Sequence, residues 1–338
     1  MSNKILVTGG AGYIGSHTCV ELLMRDFEIV IVDNFINSSL ESLNRIKKIT
    51  GKDFKFYQAD IRDDEAMRPI FLENEIDCVI HFAGLKAVGE SVEKPLLYYE
   101  NNVYGSLVLF NLMQEFGVKK IAFSSSATVY GNPEKLPLDE ECRLAATNPY
   151  GGTKLTIENI LKDLYISDPE WNIIILRYFN PVGAHTSGLI GEDPKGIPNN
   201  LTPYIAQVAA GKLSHINVFG NDYPTRDGTG VRDYIHVVDL ALGHIAAIEK
   251  INRSGVHIYN LGTGIGYSVL EVIRAFEKAS NKKLPYKITG RRSGDIAECY
   301  ANADKAAREL GWKAKYNIDD MCVSLWRFQK LNPNGYDQ

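Results

Sequence analysis

A glycine-rich turn near the start of the chain constrains the fold more than any other feature of the sequence. It follows a β-branched run, Lys4 to Thr8, and precedes a helical pattern from Ser16 to Met24. The glycines at the spacing of a nucleotide-binding turn are Gly9, Gly12 and Gly15. This spacing lets the backbone turn tightly, approach a pyrophosphate and pack helix against strand, with the helix N-terminus facing the phosphates. Such a turn alone is weak evidence, but the flanking strand and helix make it predict a dinucleotide site.

The first half of the chain alternates short apolar runs with longer amphipathic patterns. The runs typical of strands are Lys4 to Thr8, Glu28 to Val32, Phe54 to Gln58, Cys78 to Phe82, Ile121 to Ser125 and Ile173 to Tyr178. Strands that alternate with helices are typical of a doubly wound parallel sheet. We therefore predict a Rossmann-like α/β fold.

The texture of the sequence changes after Asn180, where segments such as 183–203 and 220–230 are rich in Gly, Pro and Asn and indicate binding loops. Apolar runs return at Asp233 to Val238 and Val256 to Leu261, with a helical pattern between them. We therefore predict that the chain re-enters the first domain. The nucleotide-binding domain then comprises residues 1–180 and 233–262, and a smaller substrate domain comprises residues 181–232 and 263–338.

Composition excludes several classes of partner. The net charge of −4 offers no positive field to nucleic acid or an anionic membrane, so any phosphate must be held locally. Five scattered cysteines suggest neither a disulfide framework nor a metal site. The apolar run at the N-terminus is too short for a signal-peptide core, and no run reaches the length of a membrane span. We expect a cytoplasmic protein.

Asp33 follows the second predicted strand, about 20 residues beyond the glycine turn. A carboxylate there accepts hydrogen bonds from the adenosine ribose and repels a 2′-phosphate, which favours NAD over NADP. The alternative is a turn residue that opens the following loop. Asp60 and Ile61, after the third strand, are placed to touch the adenine, although Asp60 equally suits a helix cap.

A second constellation begins at Asn148 and Pro149, a natural N-cap and first helical residue. Tyr150 and Lys154 then lie four residues apart on one helix face. A tyrosine of pKa about 10 is a poor base at neutral pH. An adjacent ammonium and a positively charged nicotinamide stabilise the phenolate, and a three-unit drop requires roughly 4 kcal/mol.

The competing interpretation of the pair is an ordinary, partly buried tyrosine beside a solvated lysine. The predicted strand that ends in Ser124, Ser125 and Ser126 favours the catalytic interpretation. It puts hydroxyls at the carboxyl edge of the sheet, where ligands of such folds bind. One of these hydroxyls can bridge the tyrosine and a substrate hydroxyl.

Four longer motifs extend the pattern along the chain: His81 to Ser91, Arg177 to His185, residues 196–201 and residues 230–236. With them the chain, from Lys4 to about Trp326, resembles the extended short-chain dehydrogenase/reductases, and within them the UDP-sugar 4-epimerases. The resemblance implies reversible inversion of C4 between UDP-glucose and UDP-galactose, through a 4-keto intermediate and transient reduction of NAD to NADH. It also implies a homodimer.

The resemblance assigns roles to individual residues. Tyr150 is the acid/base, Ser126 its hydroxyl partner, and Lys154 lowers the tyrosine pKa and holds the nicotinamide ribose. Besides the glycine turn, the NAD site contains Tyr13, Ile14, Asp33, Asn34, Asn37, Ser38, Asp60, Ile61, Phe82, Ala83, Gly84, Lys86, Asn101 and Phe179. The UDP-sugar site contains Ser126, Asn180, Asn200, Leu201, Asn217, Phe219, Arg232, Arg292, Asp295 and Cys299.

Some of these assignments have a physical basis of their own. A diphosphate that enters an acidic protein needs local bidentate donors, which suits Arg232 and Arg292, whereas Arg291 is expected to form only a surface ion pair. Asn180 and Asn200 depend on the resemblance, since asparagines also cap turns. Gly152 and Thr153 replace the Lys-Ser pair of many relatives without changing a proposed role.

Two other functions fit the same fold. A sugar-nucleotide 4,6-dehydratase needs an acidic pair after the catalytic hydroxyl, and this chain has Ala127 and Thr128 there. A catalytically silent NAD-binding protein is not expected to keep Tyr150, Lys154 and Ser126 together. An assay for conversion of UDP-galactose separates these functions from epimerisation.

Cys299 bears on substrate range. In the resembling family its position is a tyrosine in some glucose-specific members and a small residue in those that accept N-acetylated sugars. A residue this small leaves room for an acetamido group, so we expect activity on UDP-N-acetylglucosamine and UDP-N-acetylgalactosamine as well. The alternative is that Cys299 packs as a small hydrophobe, the commoner fate of a free cysteine.

Overall fold

The alternating runs fold as a seven-stranded parallel sheet in a computed structural model of the chain, which describes residues 4–196, 198, 200–292 and 295–336. The strands lie in the order β10-β6-β5-β4-β1-β2-β3. They are β1 (Lys4–Thr8), β2 (Glu28–Asp33), β3 (Lys55–Gln58), β4 (Cys78–His81), β5 (Lys120–Ser126), β6 (Asn172–Tyr178) and β10 (Gly255–Leu261). The order reverses between β1 and β4, which opens a crevice at the carboxyl ends of the strands. The predicted Rossmann-like fold is confirmed, and the six strands predicted in the first half are correct to within one residue at each end.

Both faces of this sheet are buried, which explains the nearly continuous apolar runs. Successive residues point to opposite faces, so Ile5 and Val7 belong to one core and Leu6 to the other. The first core lies under α1 (Tyr13–Leu23), α2 (Leu40–Thr50), α9 (Val237–Glu249) and α11 (Asp304–Leu310). The second lies under α3 (Asp64–Glu73), α6 (Gly105–Glu115) and α7 (Pro149–Ser167).

A long helical pattern before β5 is divided into three parts. The parts are α5 (Pro95–Tyr98), a π-helical segment (Tyr99–Tyr104) and α6, and the short helix α4 (Val88–Glu93) precedes them. The π-helical segment turns both Asn101 and Asn102 into the protein, where they are 7% and 1% exposed. Apolar periodicity alone does not reveal this insertion.

The rest of the chain forms a second layer beside the carboxyl edge of the main sheet. Its strands are β7 (Asn180–Val182), β8 (Ile216–Phe219), β9 (Val231–His236), β11 (Gly266–Ser268), β12 (Tyr286–Thr289) and β13 (Glu298–Cys299). Its helices are α8 (Leu201–Ala209), α10 (Val269–Ser280) and α12 (Ile318–Leu331), which share a third apolar core. Within the described ranges no helix is both long and apolar enough to cross a membrane.

The first of the two apolar runs that follow residue 232 does not join the main sheet. The run predicted at Asp233 to Val238 belongs to a strand, β9, that pairs with β7, β11 and β13 rather than with the main sheet. Its companion run forms β10 and does return to the main sheet, beside β6. Periodicity identifies a strand, whereas the choice of sheet depends on partners distant in the chain. Asp233 shows this, because its buried carboxylate accepts hydrogen bonds from the backbone N–H groups of Thr263 and Ala301.

Candidate active site

The glycine turn comes so close to its surroundings that side chains are excluded. A Cβ at Gly9, where φ is +72°, would lie 2.7 Å from the backbone nitrogen of Ala83, and one at Gly15 would lie 2.2 Å from the carbonyl oxygen of Gly9. Gly12 caps α1 without a side-chain hydrogen bond. The N–H groups of the first helical turn therefore point out of the turn as donors for an anion, which fits the pyrophosphate of a dinucleotide.

Asp33 organises the loop beside this turn. One carboxylate oxygen accepts a hydrogen bond from the Ala11 backbone N–H at 3.0 Å. The other accepts from the Phe35 N–H at 2.9 Å and the Ser38 hydroxyl at 2.6 Å. Asp33 therefore also has the role in the following loop that was considered as the alternative. Since a carboxylate offers about four acceptor sites, it leaves capacity for a ribose hydroxyl.

Asp60 does not cap α3, because Asp63 does so by accepting a hydrogen bond from the Ala66 N–H at 3.1 Å. Asp60 instead binds the Arg62 guanidinium and accepts a hydrogen bond from the Asn34 amide at 2.9 Å. The Arg62 hydrogen bond lowers the pKa of Asp60 to about 2. Ile61 is buried next to it, while Asn37 is exposed.

The serine-rich strand end and the start of α7 form the centre of the site. Asn148 caps α7 by accepting a hydrogen bond from the Gly151 N–H at 2.9 Å, as predicted. Tyr150, one position after the first helical residue, is hydrogen-bonded to Ser126, the last residue of β5. Lys154 is buried and donates to the carbonyl oxygen of Ser124 at 2.7 Å. The structure thus brings together the three residues proposed for catalysis.

Burial sets the protonation of this group. It raises the pKa of Tyr150, and the hydrogen bond from Ser126 opposes the rise only in part. It also lowers the pKa of Lys154 to about 8, against the effect of the Glu158 carboxylate. The expected lowering of the tyrosine pKa is therefore not a property of the chain alone, because Tyr150 is withdrawn from water that would solvate a phenolate.

The opposite wall contains a carboxylate that sequence reasoning missed. The buried Glu192 accepts hydrogen bonds from the Lys86 ammonium at 2.8 Å and the Asn200 amide at 3.1 Å. Nearby, the Tyr13 hydroxyl donates to the carbonyl oxygen of Gly183 at 2.7 Å. Residues predicted for NAD and for the sugar are thus tied together by a group from the loop after β7. In the sequence, the only indication of Glu192 was that it is an acidic residue within a Gly/Pro-rich loop.

Asn102 is a second residue that the sequence did not single out. Its amide binds the backbone of Leu85 in both directions, at 2.8 and 3.0 Å, and donates to the Thr153 hydroxyl at 3.1 Å. Thr153 in turn donates to the carbonyl oxygen of Tyr150 at 2.7 Å. Asn102 therefore links the loop of Gly84, Leu85 and Lys86 to the catalytic helix. Asn101, predicted to touch NAD, donates to Asn102.

The remaining residues predicted for NAD lie around these groups. Phe82 packs against His244 with ring centroids 4.7 Å apart, and the backbone N–H groups of Phe82 and Ala83 both donate to the carbonyl oxygen of Thr8. Ile14 is half-buried in the first turn of α1. Phe179 is buried directly after β6. All of them border the carboxyl edge of the main sheet.

Two arginines of the second layer converge on one carboxylate. Arg292 donates to Asp295 at 2.9 and 3.2 Å, and the Arg232 guanidinium lies 3.8 Å from the same side chain. The Arg292 guanidinium also lies 5.7 Å from the ring centre of the exposed Phe219, the last residue of β8. A guanidinium group next to an aromatic ring suits the diphosphate and base of a nucleotide. Arg291 forms its expected ion pair, with Asp222 at 2.8 Å.

Cys299 lies in β13 opposite Arg232 of β9. It is 8% exposed and packs in an apolar cluster with Val129 and Phe179, next to the turn that follows Ser126. Burial raises its pKa to about 11, so the group is a neutral thiol at physiological pH. Both interpretations of Cys299 fit this position, since it is a packed hydrophobe and also part of the wall near the catalytic hydroxyl.

Other predicted substrate residues occupy the same side. Asn217 lies in β8, Asn180 is exposed at the start of β7, Asn200 precedes α8, and Leu201 is its first residue. Ile197 and Asn199 of the 196–201 motif, and Gly294 of the segment before Cys299, lie outside the described residues. No group of three or more His, Cys, Asp or Glu residues in the described ranges is arranged to hold a metal ion.

Comparisons with known proteins cover nearly the whole chain. The family model described as GDP-mannose 4,6 dehydratase matches residues 6–325. The UDP-glucose 4-epimerase of Bacillus subtilis is 65% identical over 333 residues, 98% of each chain. The crystal structure of the Bifidobacterium longum UDP-glucose 4-epimerase in complex with NAD+ and UDP is 60% identical, with a TM-score of 0.96 over 98% of this chain and 99% of that one. The UDP-Glc/GlcNAc 4-epimerase of Campylobacter jejuni is 37% identical, with a TM-score of 0.84 over 97% and 99%.

Proposed function

The chain belongs to the UDP-glucose 4-epimerase family, and from that premise we propose how its own residues carry the reaction. The enzyme interconverts UDP-glucose and UDP-galactose by inverting C4, with NAD as its cofactor. The observation that supports our assignment is the convergence of Tyr150, Ser126 and Lys154 at the carboxyl edge of the main sheet. NAD, when bound, supplies a reversible acceptor for the two electrons and the hydrogen of C4.

The glycine turn and its neighbours fit this cofactor. The turn and the free first turn of α1 suit the pyrophosphate, and Asp33 suits the adenosine ribose. Lys154 lies 3.8 Å from the position of a Cβ on the exposed Gly84, which brings its ammonium to the same crevice for the second ribose. The adenosine end is additionally lined by Asn34, Ser38, Asp60 and Ile61.

Tyr150 removes the proton of the C4 hydroxyl and returns it after the sugar ring has turned over. Ser126 holds the C4 oxygen and the tyrosine hydroxyl together, which is why its place at the end of β5 matters. Burial raises the pKa of Tyr150, so deprotonation requires positive charge nearby. Lys154 provides such a charge as long as its own ammonium stays protonated.

The uridine diphosphate anchors the substrate during this turnover. Arg232 and Arg292 provide guanidinium groups for the diphosphate, and the exposed Phe219 offers a ring for the uracil. These residues come from the second layer, whereas the catalytic residues come from the main sheet. We therefore also propose that the two parts of the chain divide cofactor and substrate binding between them. Because the anchor lies outside the sugar, the hexosyl group is free to present either face of C4.

A 4,6-dehydratase remains disfavoured although the matching family model has that description. Elimination of water needs an acid beside the reacting sugar. Ser126 is followed by Ala127 and Thr128, and the Thr128 hydroxyl and N–H both bind Ser126, at 3.0 and 3.2 Å. The turn after β5 therefore contributes hydroxyls and no carboxylate.

We infer a wider substrate range from Cys299. Its small side chain borders Val129 and Phe179 beside the turn after Ser126. We expect a tyrosine at this position to fill the space that an acetamido group would need. We therefore expect turnover of UDP-N-acetylglucosamine and UDP-N-acetylgalactosamine as well. The Campylobacter jejuni neighbour, described as a UDP-Glc/GlcNAc 4-epimerase, supports this proposal.

A homodimer is our proposal for the assembly. The helices from α4 to α6 expose large apolar side chains on one stretch of the surface: Val92, Leu96, Tyr104 and Leu107. Leu96 is 82% exposed, which is unfavourable for an isolated chain and suits burial against a second copy by twofold symmetry. The five free thiols support a reducing, cytoplasmic location.

Proton NMR of the products tests the function directly. Purified protein is incubated with UDP-galactose, and the expected product is UDP-glucose with no accumulation of a keto sugar. A 6-deoxy-4-keto product would indicate a dehydratase, and unchanged substrate would indicate a silent NAD-binding protein. The same experiment with UDP-N-acetylglucosamine tests the wider substrate range.

A further inference from the structure

A buried ion pair lies directly beneath the catalytic residues. Glu158 of α7 and Arg177 of β6 are 0% and 1% exposed at their side chains. The carboxylate accepts two hydrogen bonds from the guanidinium, at 2.9 and 2.6 Å, and a third from the Ser125 hydroxyl at 2.5 Å. Burying two charges is costly unless every group is satisfied, and replacement by apolar residues is often neutral or stabilising. The position of the pair therefore calls for an explanation other than stability.

Ser125, which donates to Glu158, lies between the two serines that contact the catalytic helix. Ser124 accepts the hydrogen bond from Lys154, and Ser126 binds Tyr150. Ser125 is also paired in register with Arg177 across β5 and β6. The carboxylate thus fixes α7 against β5 at the position where Tyr150 and Lys154 must meet Ser126.

Glu158 also lies one helical turn beyond Lys154 on α7. The titratable groups next to Lys154 or next to its neighbours come from several elements. Glu158 on α7 and His81 on β4 act on the ammonium, Tyr178 on β6 lies near Tyr150, and Arg177 on β6 binds Glu158. Burial lowers the pKa of His81 to about 3, so it is neutral, and burial raises the pKa of Tyr178, so it is neutral as well. Among these neighbours Glu158 carries the only negative charge.

We propose that Glu158 is a positioning residue for the epimerisation. It holds Lys154 in its charged form and aligns Tyr150 and Lys154 with Ser126. Arg177 weakens the electrostatic effect of Glu158 on Lys154. The inference rests on the proposed role of Lys154. It explains why the buried carboxylate is accompanied by a buried cation, because Arg177 partly neutralises Glu158 and fixes the orientation of its carboxylate. Without Glu158, no neighbouring negative charge opposes the effect of burial on the pKa of the ammonium.

Two substitutions have opposite expected effects on the alkaline limb of the pH profile of kcat, measured with the NAD-loaded enzyme and UDP-galactose. Glu158→Gln removes the negative charge, so Lys154 loses its proton at lower pH and the limb moves down by about one pH unit. Arg177→Gln leaves the carboxylate unshielded, so the limb moves up. A merely structural role would lower thermal stability in both variants and leave the limb in place.

Three controls complete the experiment. Asp239→Asn alters another buried helical carboxylate, which accepts hydrogen bonds from the Lys315 and Tyr316 N–H groups, and is expected to lose stability with an unchanged limb. Ser125→Ala removes one hydrogen-bond donor to Glu158, so a small upward movement of the alkaline limb is expected. This variant tests the proposal if either charge variant fails to fold. Bound NAD is measured by absorbance after denaturation and is expected to be unchanged in the variants of Glu158, Arg177, Asp239 and Ser125.

An unmoved limb in the folded variants would overturn the inference. Lys154→Met separates this failure from failure of the proposed function. If Lys154→Met retains turnover, the assigned role of Lys154 is wrong. If it is inactive while neither limb moves, only the role of Glu158 is wrong.

Discussion

Replacement of Tyr150 by phenylalanine tests the assignment of the proton-transferring group. The substitution removes one hydroxyl and retains the ring at the start of α7. The lost hydroxyl is hydrogen-bonded to Ser126, which keeps its bonds to Thr128. A single neutral hydrogen bond contributes about 1 kcal/mol, so the fold and the cofactor site are expected to survive.

Turnover is expected to fall far more than stability. General acid/base catalysis by a positioned group contributes about 10²-fold to 10⁴-fold, and the substitution removes the hydroxyl that is hydrogen-bonded to Ser126. The assay couples UDP-glucose formation to its oxidation by a dehydrogenase, with bound NAD quantified in the same preparation. The expected result is a loss of at least about 100-fold with NAD still bound.

Tyr178→Phe is the matched control. Tyr178 is also buried beside the site, and its hydroxyl meets the Ser124 hydroxyl rather than Ser126. This variant loses a comparable hydroxyl without the proton-transfer role, so most of the activity is expected to remain. Retention of more than about a tenth of turnover by Tyr150→Phe would refute the assignment, because the group would then contribute less than general acid/base catalysis requires.

Four further outcomes are expected. Cys299→Tyr should suppress turnover of the N-acetylated sugars while sparing UDP-galactose, and equal loss of both activities in product NMR would show that the residue is not a gate. Leu96→Glu should convert a dimer into monomers by light scattering at micromolar concentration, whereas a monomeric unsubstituted protein would contradict the proposed interface. Arg232→Met should raise the KM for UDP-galactose by about tenfold or more, since a hydrogen bond to a charged group contributes about 1.5–3 kcal/mol, and a change confined to kcat would argue against a diphosphate contact. Burial lowers the pKa of histidines such as His17 and His81 to about 3, so below pH 6.5 they take up protons when the protein unfolds. The free energy of unfolding measured in urea should therefore fall as the pH decreases from 6.5, by up to about 1.4 kcal/mol per histidine per pH unit. A flat response would show that these histidines take up protons in the folded state as well.

Much of the site was predictable because its parts are local. The glycine turn, the helix cap at Asn148 and the pair Tyr150 and Lys154 each occupy a few consecutive residues, and their spacing fixes which groups share a face. The strands were equally local, since alternation of apolar runs with helices is visible in any short window. The edge at which Ser126 and Tyr150 meet followed from the rule that ligands bind at the carboxyl ends of parallel strands.

Tertiary structure decided everything that depends on partners distant in the chain. The sequence identified the strand that ends at His236, but only its pairing with β7, β11 and β13 excluded it from the main sheet. Glu192 binds Lys86 from 106 residues away, and Glu158 is a buried counter-charge only because β6 brings Arg177 beneath α7. The effect of burial on Tyr150, whose pKa rises in the chain alone, was not visible in the sequence for the same reason. Spacing specifies which groups are neighbours along a helix, whereas the free energy of a charge depends on how much water the whole fold removes from it.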